Sequence, residues 1–216
     1  TDMETVKISP SLLSADWMNL EQELKNLSAW GADMVHCDVI DGLFAPNITF
    51  GMPMISALKR KSKLPLDVHL MIVKPERYID KFIAAGSDTI AFHPEASDKP
   101  LEVLDKIRKS GIKAGIAINP DISASVVKQY LDNIDYILLM GVFPGFGGQK
   151  FIPEVMDKID ECKKYTVGRN IYIELDGGVT VENIGEMKRR GLNAAVAGNA
   201  VFAAADPAGA VKMLKA

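Results

Sequence analysis

The chain has 216 residues, 48% hydrophobic and 25% charged, with a formal net charge of -3, values that suit a globular protein with one sizeable core and exclude a disordered chain. The charge balance gives no electrostatic footprint for nucleic acid, and no apolar run approaches the roughly 20 residues of a membrane span. Cys37 and Cys162 are too few for a disulfide framework and no secretory signal pattern opens the sequence, so a cytoplasmic setting is expected.

Short apolar runs alternate with longer amphipathic segments from end to end, the pattern of a parallel sheet with crossover helices. A first strand is predicted over 6–9, then a helix over 16–30 that stops at Gly31. Strands follow over 34–39, 66–70 and 89–92. The basic run 59–63 reads as the solvated end of a helix, and a helix over 75–85 stops at Gly86. A helix over 101–109, stopped by Gly111, leads into a fifth strand over 114–118. The last three strands are predicted over 136–140, 172–175 and 195–197, with helices over 153–165 and 181–190 between them and a stop at Gly191. Eight such units, with strands apolar on both faces, imply closure into a single-domain (β/α)8 TIM barrel over residues 1–216. An open doubly wound sheet is the weaker alternative, because it gathers its ligand at one switch point.

His36-Cys37-Asp38, Asp67-Val68-His69 and Asp176-Gly177-Gly178 come as apolar strand-like runs end. Side chains alternate along a strand, so His36 and Asp38 share one face, Asp67 and His69 do likewise, and Cys37 turns away into core packing. If these strand ends are neighbours on one rim, His36, Asp38, His69 and Asp176 form a two-nitrogen, two-oxygen set. Such a set suits one divalent ion per subunit, with Zn, Fe, Mn or Co all acceptable. All three histidines are placed at strand C-termini, where barrel enzymes carry catalytic groups; a buried, hydrogen-bonded histidine is the alternative for each. His93, in Phe92-His93-Pro94-Glu95, lacks that partner geometry and stays open between structure and substrate contact.

Asp38 and Asp176 are the acid/base candidates, since inverting a carbon beside a carbonyl requires a proton to leave one face and another to arrive opposite. Orientation of a histidine is the alternative for Asp38 and a helix cap for Asp176, while Asp41 reads as a turn or cap residue. Glycines crowd the last three strand ends, in Pro144-Gly145-Phe146-Gly147-Gly148-Gln149, Gly177-Gly178 and Gly198-Asn199. Bare amides in such loops make an anion nest, which predicts a phosphorylated substrate. Ser11 either reaches a substrate oxygen or caps the following helix. Met71 and Met140 form an apolar wall or fill the core.

Ser9-Pro10-Ser11-Leu12-Leu13-Ser14-Ala15-Asp16, His36-Cys37-Asp38-Val39-Ile40-Asp41-Gly42, Asp67-Val68-His69-Leu70-Met71, the 144–149 loop and Glu174-Leu175-Asp176-Gly177-Gly178 together closely resemble the ribulose-phosphate 3-epimerase family. The resemblance runs over nearly the whole chain. It implies a metal-dependent β/α barrel, a homo-oligomer, that interconverts D-ribulose 5-phosphate and D-xylulose 5-phosphate by removing the C3 proton through an enediolate. It puts the metal on His36, Asp38, His69 and Asp176, with Asp38 and Asp176 as the proton-transfer pair. It puts the substrate on Ser11, His69, Met71, Met140, Gly145, Phe146, Gly147, Gly148, Gly177, Gly178, Gly198 and Asn199. Leu43 stands where the family usually has histidine, Gly141 where it has threonine, Phe143 where it has a polar residue and Asn199 where it often has serine. Gly141 is expected to open room for a sugar one carbon longer, which makes a D-allulose-6-phosphate 3-epimerase the alternative. A non-catalytic sugar-phosphate binding protein is the remote one.

Overall fold

The computed structural model describes residues 5–216. Eight parallel strands run as β1 (Lys7–Pro10), β2 (Val35–Ile40), β3 (Leu66–Met71), β4 (Thr89–Phe92), β5 (Lys113–Ile118), β6 (Tyr136–Met140), β7 (Tyr172–Asp176) and β8 (Ala194–Ala197). Their order is β1-β8-β7-β6-β5-β4-β3-β2. The seam between β1 and β2 is bridged by Ser11 pairing with His36 and by the Ile8 carbonyl, which accepts from the amides of Asp33 and Met34. The sheet thus curls round to its own first strand, and the architecture is the expected (β/α)8 TIM barrel. Every strand lies within one residue of its predicted bounds.

The helices are α1 (Leu20–Ala29), α2 (Met52–Lys61), α3 (Ile79–Ala85), α4 (Pro100–Lys109), α5 (Val155–Tyr165), α6 (Ile184–Arg190), α7 (Asn199–Phe202) and α8 (Pro207–Lys215). Helix α4 shows why such segments fold as they do. Proline opens it, Glu102 lies in its first turn and Lys106, Arg108 and Lys109 in its last, matching the helix dipole, while Val103, Leu104 and Ile107 are buried along one face. Two predicted helices are split in the structure. Asp16 accepts from the Met18 amide and caps a separate 3-10 turn, Trp17–Asn19, ahead of α1, and Tyr78 divides 75–85 into the 3-10 turn Pro75–Arg77 and α3. Helices α5 and α6 start two and three residues later than expected. Helix α2, whose basic last turn had been read from 59–63, was otherwise unpredicted, as were α7 and α8. Between β5 and β6 the crossover is only a 3-10 segment, Ala124–Gln129, capped by Ser123.

The main core lies between strands and helices, where Val35, Cys37 and Val39 of β2 join Ile55 and Leu58 of α2 in one buried cluster. Inside the barrel a smaller apolar plug of Ala91, Ala117, Tyr136 and Leu138 fills the middle, with Tyr172 stacked on Tyr136 at 4.9 Å. Gly115 makes room for that plug, since a Cβ there would lie 2.5–2.7 Å from the Tyr136 ring. Gly115→Ala is therefore expected to lower unfolding free energy in urea by about 1–3 kcal/mol, the usual cost of overpacking a filled core. Unchanged stability would mean that the ring has somewhere else to go.

Candidate active site

Three strands build the centre of the site. On the inward face of the barrel β2 presents His36 and Asp38, β3 presents Asp67 and His69, and β7 presents Glu174 and Asp176. Register sets His36 beside Asp67 and Asp38 beside His69. His36 Nε2 lies 3.2 Å from Asp38 Oδ1 and 3.4 Å from Asp176 Oδ2, and His69 Nδ1 lies 3.5 Å from each of those oxygens. The structure thus brings together the four residues expected to share an ion, but it seats the histidines deeper than expected. His36 is the second residue of β2 and His69 the fourth of β3, both fully buried, and only His93 stands at a strand end.

The donor set fits a divalent cation. His36 Nε2 and His69 Nδ1 are buried and have no hydrogen-bond partner. Ligands at about 2.0–2.1 Å from a tetrahedral ion sit about 3.4 Å from one another, close to the spacing of these nitrogens and oxygens. Each imidazole is held by its other nitrogen. His36 Nδ1 lies 2.7 Å from Asp67 Oδ2, whose carboxylate also accepts from Ser9 Oγ at 2.9 Å and Thr89 Oγ1 at 2.7 Å. His69 Nε2 lies 2.9 Å from His93 Nε2, and the His93 ring packs between His69 and Phe44. Burial pushes His93 down to about 4, so it is neutral and can accept from His69. The His93 ring contacts the back of His69 and does not line the cavity above the cluster. Asp67 and His93 are supports of the kind that orient metal-binding imidazoles.

Burial opposes the charge on Asp38, but the His36 and His69 rings outweigh it and hold that carboxyl well below the usual range. Burial likewise opposes protonation of both histidines, yet the surrounding carboxylates push them above the ordinary imidazole value. Without a cation the cluster therefore balances its own charges with protons. Glu174 behaves in the opposite way. Burial first, and then the Asp67 carboxylate, push it well above the carboxylate range, so it is neutral.

Above the four donors a cavity of roughly 630 Å³ opens at the C-terminal mouth of the barrel. Of the residues expected to meet substrate, Ser11, Met71, Met140, Gly145, Phe146, Gly147, Gly148, Gly177, Gly178, Gly198 and Asn199 line it. His69 does not, because it is spent on the buried cluster. Ser11 caps a chain turn, as one of its two readings had it, though the short 3-10 turn Leu12–Ser14 rather than a helix near Asp16: its Oγ accepts from the Leu13 amide and donates to Asp38 Oδ2 at 2.5 Å. Asp41 is the turn residue expected, accepting from the amides of Leu43, Phe44 and Val73. The first, sixth and eighth loops meet over the cavity, with Ser14 Oγ set against Gly147 and Gly198, and the Asn199 amide against Gly148. A second cavity of roughly 790 Å³ at the opposite end of the barrel, bordered by Lys7, Lys113 and Tyr172, holds none of the four donors.

One expectation is overturned. Gly141 opens no room for a longer sugar, because the space a side chain would take is filled by the Gly177 carbonyl, the Phe151 ring and Leu175. Glycine here lets the ends of β6 and β7 close up, with the Gly141 amide donating to the Asp176 carbonyl at 2.6 Å. Leu43 is 77% exposed and does not line the cavity, whereas Phe143 does.

Residues 7–202 match the profile of the ribulose-phosphate 3 epimerase family. The chain is 42% identical over 213 residues to a ribulose-phosphate 3-epimerase of Bacillus subtilis, covering 97% of this chain and 98% of that protein. It is 43% identical over 203 residues to the ribulose-phosphate 3-epimerase of Escherichia coli K12, covering 93% and 90%. A crystal structure of 3-hexulose-6-phosphate synthase superimposes with a TM-score of 0.67 over 98% of both chains at 20% identity, a likeness of fold alone. Because the profile runs from the first strand through the eighth, and so takes in every strand that carries a donor, the chain belongs to the ribulose-phosphate 3-epimerase family.

Proposed function

We propose that this chain, acting as one barrel domain over residues 1–216, is a metal-dependent ketose-phosphate 3-epimerase that interconverts D-ribulose 5-phosphate and D-xylulose 5-phosphate. The observation that carries the reading is the pairing of Asp38 and Asp176. Both carboxylates border the cavity, and both sit against the same two imidazole nitrogens, 3.2–3.5 Å away. His36 Nε2, Asp38, His69 Nδ1 and Asp176 would hold the ion, with Zn²⁺, Fe²⁺, Mn²⁺ and Co²⁺ all suited to the set. When bound, a divalent ion supplies polarisation of the ketose carbonyl and offsets the negative charge that grows on its oxygens.

The chain's own groups do the rest. One aspartate takes the C3 proton and the other returns a proton to the opposite face. Ser11 fixes the Asp38 carboxylate through its 2.5 Å hydrogen bond, so the carboxylate is aimed before substrate arrives. Met71 and Met140, both buried, wall the reacting carbons from water. Backbone amides around Gly148, Gly178, Gly198 and Asn199 take the phosphate. The names of the relatives support a pentulose, and the longer sugar has lost the feature that favoured it.

The same reading makes the protein a homo-oligomer, as the family resemblance implies. It also makes it cytoplasmic, in keeping with a metabolic role; among the described residues no helix is long and apolar enough to cross a membrane.

Purified protein loaded in turn with each of the four ions should be assayed on both sugars, with bound metal measured in the same samples. Turnover of the pentulose with a tenfold or greater preference over allulose 6-phosphate is expected. Inactivity on both sugars with metal bound defeats the catalytic reading, and full activity without bound metal defeats the metal.

A further inference from the structure

Beneath the four donors, two residues before Asp176 on the inward face of β7, Glu174 is fully buried and neither of its carboxyl oxygens has a hydrogen-bond partner. The Tyr136 hydroxyl, also fully buried, is likewise unpartnered. The neighbours of Glu174 in register are Leu138 of β6 and Ala194 of β8, whose side chains offer it nothing. Across the barrel interior, however, an oxygen of Glu174, an oxygen of Asp67 and a ring nitrogen of His36 all lie within 4.8 Å of one another. Burying a carboxyl and a phenol with nothing to bond is costly, so this arrangement calls for a partner.

A second cation shared by His36, Asp67 and Glu174 does not suit the spacing. His36 Nδ1 and Asp67 Oδ2 are 2.7 Å apart, a hydrogen bond, and closer than the about 3.4 Å that two ligands of one tetrahedral ion keep. Hydrogen bonding does suit it. A carboxylate has about four acceptor sites. In Asp67 the contacts from Ser9, His36 and Thr89 occupy three of them, two on Oδ2 and one on Oδ1. The fourth has no donor among the described residues, and Glu174 is the buried polar group beside it.

We propose that Glu174 is a positioning residue for the metal centre. Its carboxyl completes the hydrogen bonding of Asp67, directly or through one buried water shared with the Tyr136 hydroxyl, and through Asp67 it keeps His36 Nε2 aimed at the ion. The inference rests on the metal-dependent reading above. It extends the support of His36 by one step, from the carboxylate that touches the imidazole to the group that holds that carboxylate. Tyr136, stacked on Tyr172 in the interior plug, would then link the metal centre to the packing of the barrel.

The test compares Glu174→Gln, which keeps shape and a donor, with Glu174→Met, which keeps bulk and loses both polar atoms. Co²⁺ affinity is measured by equilibrium dialysis and the visible Co²⁺ absorption is recorded for each protein. Glu174→Met is expected to bind Co²⁺ about 10–100-fold more weakly, with a shifted spectrum, and Glu174→Gln to stay within about threefold of wild type. Wild-type affinity and spectrum in Glu174→Met overturn the proposal, and so does a Gln variant as weak as Met. If Glu174→Met does not fold, a crystal structure of the metal-loaded wild type decides. A Glu174 oxygen bonded to Asp67, or to a water that bridges to it, supports the proposal, and two unbonded oxygens overturn it. A wild-type chain that takes up no divalent ion defeats both this inference and the metal-dependent function, whereas an active wild type with an indifferent Met variant defeats this inference alone.

Discussion

Asp176→Asn is expected to lower kcat for pentulose epimerisation by about 10²–10⁴-fold and to abolish exchange of the C3 hydrogen with solvent deuterium in at least one direction. Asparagine has the same outline and keeps one oxygen for the ion, but its amide cannot accept the proton. The side chain of Asp176 is 13% exposed, borders the cavity and sits 3.4–3.5 Å from the two free imidazole nitrogens, so it can face substrate and ion together. That double position makes metal content part of the measurement. At equal metal occupancy the loss reports proton transfer, and at reduced occupancy it also reports ligation. Exchange at the wild-type rate in a fully loaded variant would remove Asp176 from the acid/base pair.

Stripping the ion is expected to abolish turnover and to cost far more thermal stability at pH 8.5 than at pH 6. In the metal-free chain His36 and His69 are raised above their ordinary value, opposed by burial but driven by the carboxylates around them. Their stabilising effect is complete below the unfolded-state value of about 6.5 and is lost as pH climbs through the raised folded values. Asp38 and Asp67 are depressed by the histidine beside each, again against burial. Their effect is present above about 3.9 and is lost as pH falls through the lowered values. The metal-free barrel therefore has its electrostatic optimum between about pH 4 and 6.5. A bound ion replaces those protons, so its affinity rises with pH and up to two protons leave per ion taken up. Calorimetry of loaded and chelated protein at the two pH values checks this. An equal fall in Tm at both would show that the imidazoles are not the groups in competition.

Much of the site was legible because strand alternation is a local property. His36 and Asp38 must share a face whatever the rest of the chain does, and the same holds for Asp67 and His69. The glycines of the last three loops were legible for a related reason, since three consecutive strand ends point to one rim. The supports behind the ligands were not. Asp67 meets His36 through the register of β2 against β3, across 31 positions of sequence, and no local pattern reveals it. His93 was visible as a histidine at a strand end, but that its ring lies against His69 rather than the cavity depends on the packing of β3 beside β4.

Gly141 shows the same divide from the other side. Counting atoms along the chain makes glycine for threonine look like added space, while the carbonyl of Gly177, brought up by the pairing of β6 and β7, occupies it. Glu174 reads in sequence as an ordinary charged residue inside a strand. Alternation puts it on the face of Asp176, and the closed barrel buries it fully and makes it neutral.

The amino-acid order by itself thus determined the eight strand units, the closure they imply and the four residues that the barrel gathers at its mouth, because apolar periodicity, glycine stops and period-two alternation act over a few residues. Tertiary structure alone decided the depth of the histidines, the two supports that fix their free nitrogens, the neutral acid beneath them and the lack of space at Gly141. Each of those depends on which strands lie side by side and how far they are staggered, and that is set by packing the whole barrel at once.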